Sequence, residues 1–282
     1  MTDRFEHLRA WVGKTERKTD TLSAWPVTAL AATLDHRDFV AAEGTPIPAG
    51  WHWLYFLEAK PASELGDDGH PRKGGFLPPV PLPRRMWAGG RIEFLRPLSV
   101  GEAVTRDSEI VSVEPKSGRT GDLVFVTVRH TIRTAGVAGI VEEHDIVYRE
   151  AAKAGDPAPA GKPAPASAEW TRRVEADAVL LFRYSALTFN GHRIHYDKDY
   201  ATRDEHYNGL VVHGPLQATL LLDLCRLNAP RPLRKFEYRA QSPLFGGDSI
   251  TVNGTFDATA SQAELWTAGS AGTYAMRGTA WF

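Results

Sequence analysis

The chain has 282 residues, 43% of them hydrophobic and 24% charged, and its 33 Lys and Arg nearly balance 34 Asp and Glu for a net charge of −1. This is the composition of an ordinary globular protein, long enough for one large domain or two small ones. It has no basic excess for nucleic acid or an anionic membrane surface; its single cysteine, Cys225, excludes an internal disulfide and a cysteine-rich metal site.

In chain order, residues 1–20 are charged throughout and lack the apolar core of a secretion signal. No stretch approaches membrane-spanning length, so a cytoplasmic protein with no membrane partner is expected. Residues 26–30 (PVTAL) and 49–56 (AGWHWLYF) are short apolar pieces. Residues 66–85 (GDDGHPRKGGFLPPVPLPRR) read as a long, ordered Gly- and Pro-rich loop carrying Arg72, Lys73, Arg84 and Arg85. Strands are expected at 91–95, 104–113, 123–134 and 140–149. In the third, Val124, Val126, Val128 and Ile132 share one face, the mark of a half-buried strand. Residues 151–168 (AAKAGDPAPAGKPAPASA) cannot bury enough surface to fold alone and read as an extended linker between 1–150 and 169–282.

The second half opens with a strand-like run at 179–182, followed by a polar segment in which Asn190 and His195 lie five residues apart. Residues 214–228 (GPLQATLLLDLCRLN) are too long and leucine-rich for a strand and predict a helix, with Thr219, Asp223 and Arg226 as a narrow polar stripe. A helix that apolar has to be wrapped by protein on most sides, and Cys225 within it reads as a buried structural thiol. Strands follow at 236–240, at 249–256 and near the C-terminus, where Tyr274, Met276 and Ala280 alternate with polar or small residues. Both halves carry the pattern P-L-x-x-G-acid-x-aliphatic, from Pro97 to Val104 and from Pro243 to Ile250, each between two strand-like runs. With the central linker, that repeat points to duplication.

Residues 182–197, FRYSALTFNGHRIHYD, resemble the hydratase-2 motif of the MaoC-like hot-dog enzymes, Y-S-x-x-S-G-D-x-N-P-x-H. Tyr184, Ser185 and His195 fall in register and Thr188 stands at the serine position, while Asn190, His192 and Arg193 replace the family's Asp, Asn and Pro. The wording TFNGHRIHYD is similar to one branch, the hydroxyacyl-thioester dehydratase type 2-like and mesaconyl- or itaconyl-CoA hydratase-like proteins. The resemblance implies an α+β double hot dog, two curled antiparallel sheets each around a central helix. In the first half, 26–30 can be laid on 183–187, with Thr33 opposite Asn190, Asp38 opposite His195 and 49–56 standing for the central helix. No histidine occupies the critical spot, so that half is read as a catalytically silent copy that shapes the substrate tunnel.

The activity implied is that of a hydro-lyase on an acyl-CoA thioester, with no cofactor beyond the coenzyme A of the substrate. Hydration puts a proton on the α-carbon and hydroxide on the β-carbon through an enolate-like transition state, so a proton carrier and donors to the thioester oxygen are needed. His195 matches the family's catalytic histidine, a side chain that titrates near neutrality. Leu210, Val211, Val212, His213 and Gly214 resemble the family's apolar-apolar-His-Gly run, where the glycine N–H polarises the carbonyl at the positive end of a helix. His213 itself reads as a packing neighbour of the substrate, beside Tyr184 and Ser185. A carboxamide at Asn190 cannot accept a proton but can orient water; Asp197, Glu205 and Asp223 are candidates for the missing carboxylate.

Arg72, Lys73, Arg84 and Arg85 suit coenzyme A phosphates; Arg183 and Arg193 suit a carboxylate at the far end of a short dicarboxylic acyl chain. Four histidines in 192–213, spaced by 3, 11 and 7, match no zinc pattern, and no metal is expected. The leading expectation is hydration of itaconyl- or mesaconyl-C4-CoA to citramalyl-CoA, with a 3-hydroxyacyl-thioester dehydratase of fatty-acid metabolism as alternative. A thioesterase is disfavoured, because hydrolysis normally wants a carboxylate where Asn190 stands. A non-catalytic acyl-thioester-binding subunit is the alternative of a different class. Hot-dog sheets expose an edge, so a homo-oligomer, dimer or higher, is expected.

Overall fold

A computed structural model describes residues 4–118, 121–151 and 161–282. Its frame is one antiparallel sheet of ten strands among the described residues: β1 (Thr15–Thr21), β2 (Arg84–Phe94), β3 (Ala103–Gly118), β4 (Gly121–Thr134), β5 (Val137–Arg149), β6 (Trp170–Glu175), β7 (Lys235–Ala240), β8 (Ser249–Asp257), β9 (Gln262–Ala268) and β10 (Tyr274–Trp281). Their order is β1-β3-β4-β5-β2-β7-β10-β9-β8-β6. Read from either edge to the centre, both halves follow the same path, and they meet where β2 pairs with β7, Gly89 opposite Arg239 through Glu93 opposite Lys235. The alternating face of β4 is buried as expected, Val124, Val126, Val128 and Ile132 all being 2% exposed or less. The edge strands β1 and β6 (TERKTDT and WTRRVE) give no apolar alternation, because their outward sides are charged and solvated.

The repeated motif makes the same turn twice. Gly101 and Gly247 both adopt φ +94°, a left-handed conformation that favours glycine. Leu22 N–H donates to Glu102 O at 3.0 Å and Gly101 N–H to Leu22 O at 2.8 Å; in the second half Ala176 N–H donates to Asp248 O at 3.1 Å and Gly247 N–H to Ala176 O at 2.9 Å. The acid of each motif also accepts from a backbone N–H three residues back, Ser99 on Glu102 and Phe245 on Asp248.

Three α-helices pack against this sheet: α1 (Ala24–Thr33), α2 (Ala178–Leu187) and α3 (Gly214–Asn228). The run at 179–182 is therefore helix, not strand. Four apolar residues fit either state; the decision comes from Asp177, whose side chain accepts from Leu180 N–H at 2.8 Å as a helix N-cap. Leu180, Leu181, Tyr184 and Ser185 are buried at helical spacing, while Val179 and Phe182 are exposed.

α3 is wrapped as its composition requires, with every residue from Leu216 to Cys225 buried. Its polar stripe is also inside, except for Arg226: Asp223 takes ion pairs from Arg172 at 2.6 Å, Arg226 at 2.7 Å and His36 at 2.8 Å. The first half has a shorter counterpart. Residues 49–56 form one 3-10 turn, Trp51–Leu54, behind Gly50 at φ +82°, and a Cβ at Gly50 would run into Leu222 of α3. α1 corresponds to α2 three residues off the sequence overlay, so His36 rather than Thr33 stands opposite Asn190. Thr33 Oγ1 bonds back to Ala29 O within α1, and Asp38 lies in a surface cleft with Arg226 and Leu227.

Of the linker, residues 152–160 lie outside the described residues; beyond them Tyr274 N–H donates to Lys162 O at 2.9 Å, so the segment joins the β9–β10 side of the sheet. No helix among the described residues is long and apolar enough to cross a membrane.

Candidate active site

His195 closes a 3-10 turn, Arg193–His195, beyond α2. The turn is pinned to the chain before α3 in both directions, Val211 N–H donating to Ile194 O at 2.9 Å and His195 Nδ1–H donating to Val211 O at 2.7 Å. A carbonyl only accepts, so Nδ1 carries the proton and Nε2 keeps its lone pair. Nε2 has no hydrogen-bond partner among the described residues. Burial pushes the ring's pKa down to about 4, against the pull of the Val211 carbonyl and with the charge of His70 adding to the drop. His195 is a neutral imidazole ready to accept a proton.

His213 fixes its plane. The two rings stack at 3.7 Å and 18°, and Tyr184 meets His213 edge-on at 5.1 Å. His213 Nε2 and Ser185 Oγ are 2.8 Å apart, and its Nδ1 is buried with no partner among the described residues. Burial, then the neighbouring His195 and His192, hold His213 well below the usual histidine range. The Tyr184 hydroxyl lies 3.3 Å from Thr219 Oγ1 and joins α2 to the first turns of α3.

α3 starts at Gly214 and continues with Pro215. The first N–H groups of a helix lack internal acceptors, and proline has none to offer, so the Gly214 N–H is the positive pole of this helix end. Its α-carbon faces the Trp87 ring, where a Cβ would sit 3.2 Å from Cε3; a side chain there would crowd the approach. Trp87 in turn meets His144 edge-on at 5.5 Å. Behind it, Glu142 accepts from His144, from His52 Nε2 at 2.9 Å and from Trp53 Nε1 at 2.8 Å. Burial alone would raise this carboxyl; His144 and His52 hold it well below the usual range.

Asn190 is committed on one side. Its Oδ1 accepts from His192 N–H at 3.0 Å, an Asx turn, and its own N–H donates to Ser185 O at 2.8 Å. Its Nδ2 donors are free of partners among the described residues and can hold a water.

The arginines separate sharply. Arg84 is paired with Glu205 at 2.6 Å and lies over the Tyr207 ring, so it has no charge to spare for phosphate. Arg193 is paired with Asp197 at 2.8 Å, donates to Asp67 O and covers Tyr200; it fastens a loop instead of waiting for substrate. Arg183 projects into solvent from α2 with no partner among the described residues. Arg72 is exposed and bonds Leu65 O, and Lys73 Nζ is held by the Leu82 and Pro83 carbonyls. Arg85 alone of this set is half-buried and without an ion pair among the described residues, and its charge is felt at His70 and His192.

Those ion pairs also remove Asp197 and Glu205 as proton-handling carboxylates, and Asp223 is enclosed by His36, Arg172 and Arg226. The carboxylate that does approach comes from the Gly- and Pro-rich loop: Asp68 Oδ2 lies 3.1 Å from His70 Nδ1, and the His70 ring is 4.1 Å from His192. Sequence reasoning passed over both residues; the only signal is an Asp-Gly-His turn inside the loop. Polar atoms of Asp68, His70 and His192 lie within 4.8 Å of one another, close enough for a cation. The positive charges of Arg85 and Lys73 beside them oppose one, and the Asp68–His70 hydrogen bond already uses one ligand atom of each.

The family model described as hydroxyacyl-thioester dehydratase type 2 matches residues 50–246. The chain is 49% identical over 237 residues to the mesaconyl-C(4)-CoA hydratase of Chloroflexus aurantiacus, which covers 84% of each chain. It is 30% identical over 264 residues to the mitochondrial hydroxyacyl-thioester dehydratase type 2 of Schizosaccharomyces pombe, 83% of this chain and 87% of that one. In fold it superposes on a MaoC-like dehydratase from Phytophthora capsici with a TM-score of 0.69, over 97% of this chain and 96% of that one at 12% identity.

Proposed function

The chain belongs to the hydroxyacyl-thioester dehydratase type 2 family of MaoC-like hot-dog hydro-lyases, and from that premise we propose that it hydrates a short dicarboxylic enoyl-CoA, itaconyl- or mesaconyl-C4-CoA, to citramalyl-CoA. The observation that carries the hydration chemistry is His195, neutral, with Nδ1–H locked on Val211 O and Nε2 open, in the segment that leads to the N-terminus of α3. His195 takes a proton from water as the oxygen bonds the β-carbon. The Gly214 N–H holds the charge that grows on the thioester oxygen, and Asn190 Nδ2 steadies the water. Tyr184, Ser185 and His213 keep the His195 ring in plane. The first half, without a histidine at the corresponding place, forms the far wall.

The diacid is supported by the 49% identity to a mesaconyl-C(4)-CoA hydratase and by Arg85, a guanidinium near Tyr148 with no ion pair among the described residues, whose charge is felt at His70 and His192. A guanidinium recognises a carboxylate through paired N–H donors. The 30% identical yeast dehydratase supports a second reading, a 3-hydroxyacyl-thioester dehydratase acting on plain chains. Hydration of mesaconyl-C4-CoA, itaconyl-CoA and crotonyl-CoA side by side separates the two. The diacids are expected to be preferred, and Arg85→Gln to raise their KM about tenfold or more while leaving crotonyl-CoA unaffected. A preference for crotonyl-CoA, unchanged by Arg85→Gln, would favour the second reading.

A further inference from the structure

We propose that Asp68 and His70, delivered by the loop of the first half, supply the negative charge that the site lacks at Asn190, and act through His192 on the imidazole that carries the proton. This rests on the hydratase reading above and adds the identity of the missing carboxylate.

The loop is built to reach the motif. Arg193 N–H donates to Asp68 O at 2.9 Å and Arg193 Nη1 to Asp67 O at 2.9 Å. Gly69 adopts φ +84°, and a Cβ there would strike the Gly191 carbonyl, so only glycine lets the two chains come this close. Asp68 accepts twice from His70, at Oδ1 from N–H at 3.0 Å and at Oδ2 from Nδ1–H at 3.1 Å. That fixes the His70 tautomer and leaves its Nε2 with a lone pair. From His70 the rings continue to His192 at 4.1 Å and from His192 to His195 at 5.5 Å and 88°. One carboxylate and three imidazoles form a continuous array across both halves of the chain.

The charges around it are few. Arg85 from β2 and Lys73 from the same loop are positive, His192, His195 and His213 are held neutral by burial, and Tyr200 lies close enough to feel Asp68. Burial would raise the Asp68 carboxyl, yet the two hydrogen bonds it accepts from His70 hold it well below the usual range, so it is ionised.

Hydration uses that charge. One proton of water passes to His195 Nε2 as the oxygen lone pair bonds the β-carbon. The C=C π pair moves into the enolate and then forms the new C–H bond with the same proton. Between those events the buried array bears a positive charge, which is costly unless an opposite charge stands near. Asp68 offsets it. Asp68 and His70 are positioning residues, separated from the reacting atoms by His192 and His195.

The test compares Asp68→Asn, which keeps the shape and loses the charge, with Asp68→Glu, which keeps the charge on a longer arm. The substrate is whichever of the three thioesters above the wild type hydrates fastest, and thermal melting of each variant reports whether it is folded. For Asp68→Asn, kcat is expected to fall roughly tenfold or more, as when a charge partner worth about one pKa unit is lost. KM should stay within about threefold, and Asp68→Glu should be the faster variant. His70→Gln, tested in parallel, should lose kcat in the same way. A purely structural role would reverse the order, the isosteric Asn outperforming Glu, and would overturn the proposal. So would full activity in Asp68→Asn and His70→Gln. If the wild type hydrates none of the thioesters, the hydratase reading itself fails; if it is active and only the Asp68 and His70 variants are silent in effect, this inference fails alone.

Discussion

A histidine proposed to take a proton at neutral pH must arrive without one, and His195 does so by burial, with the Val211 carbonyl choosing which nitrogen stays free. The consequence is measurable. An ordinary histidine titrates near 6.5, whereas His195 is pushed down to about 4. The kcat/KM profile of the free enzyme should stay on its plateau as pH drops through 6.5 and decline only nearer 4. Half-maximal activity at 6.5 would mean that the working histidine is solvated. The same shift has a cost to stability. The unfolded chain protonates this residue near pH 6.5 and the folded chain does not, so its contribution is complete above 6.5 and is lost as pH falls from there to about 4.

At the scale of elements, α3 is the organising piece, and it is legible in the sequence because fifteen residues of leucine-rich helix have no strand reading. α2 is not legible, since Val-Leu-Leu-Phe suits either state and the deciding Asp177 cap is a single side chain. The repeated turn is legible because it is local, a left-handed glycine next to an acid that bonds its own loop. Asp223 shows how α3 is tied in. Its carboxylate, fully buried, joins α3 to Arg172 of β6 and to His36 beyond α1. Asp223→Ala removes the buried counter-charge of Arg172 and Arg226 and is expected to destabilise the fold by about 3 kcal/mol, read from the urea midpoint. A change below about 1 kcal/mol would show that the cluster is already solvated.

At the scale of the whole molecule, the two halves trace the same strand path and meet at β2 and β7, but they divide the work unevenly. The second half brings His195, His213 and Gly214 from neighbouring stretches of chain, so this part of the proposed site can be found by motif. The first half contributes Asp68, His70, Arg85 and Trp87, more than a hundred residues earlier, and no spacing rule connects them to His195. The same distance explains why Arg84 and Glu205 look available in the sequence and are not, since they meet only in the fold; Arg193 and Asp197, four residues apart, pair with each other locally. The measurement that tests the account most directly is steady-state hydration of the preferred enoyl-CoA by wild type and His195→Ala. With His195 as the proton carrier, kcat is expected to fall by about 10²–10⁴ with the variant folded at the same temperature. A folded His195→Ala protein within about tenfold of wild type would contradict it and move the proton carrier elsewhere.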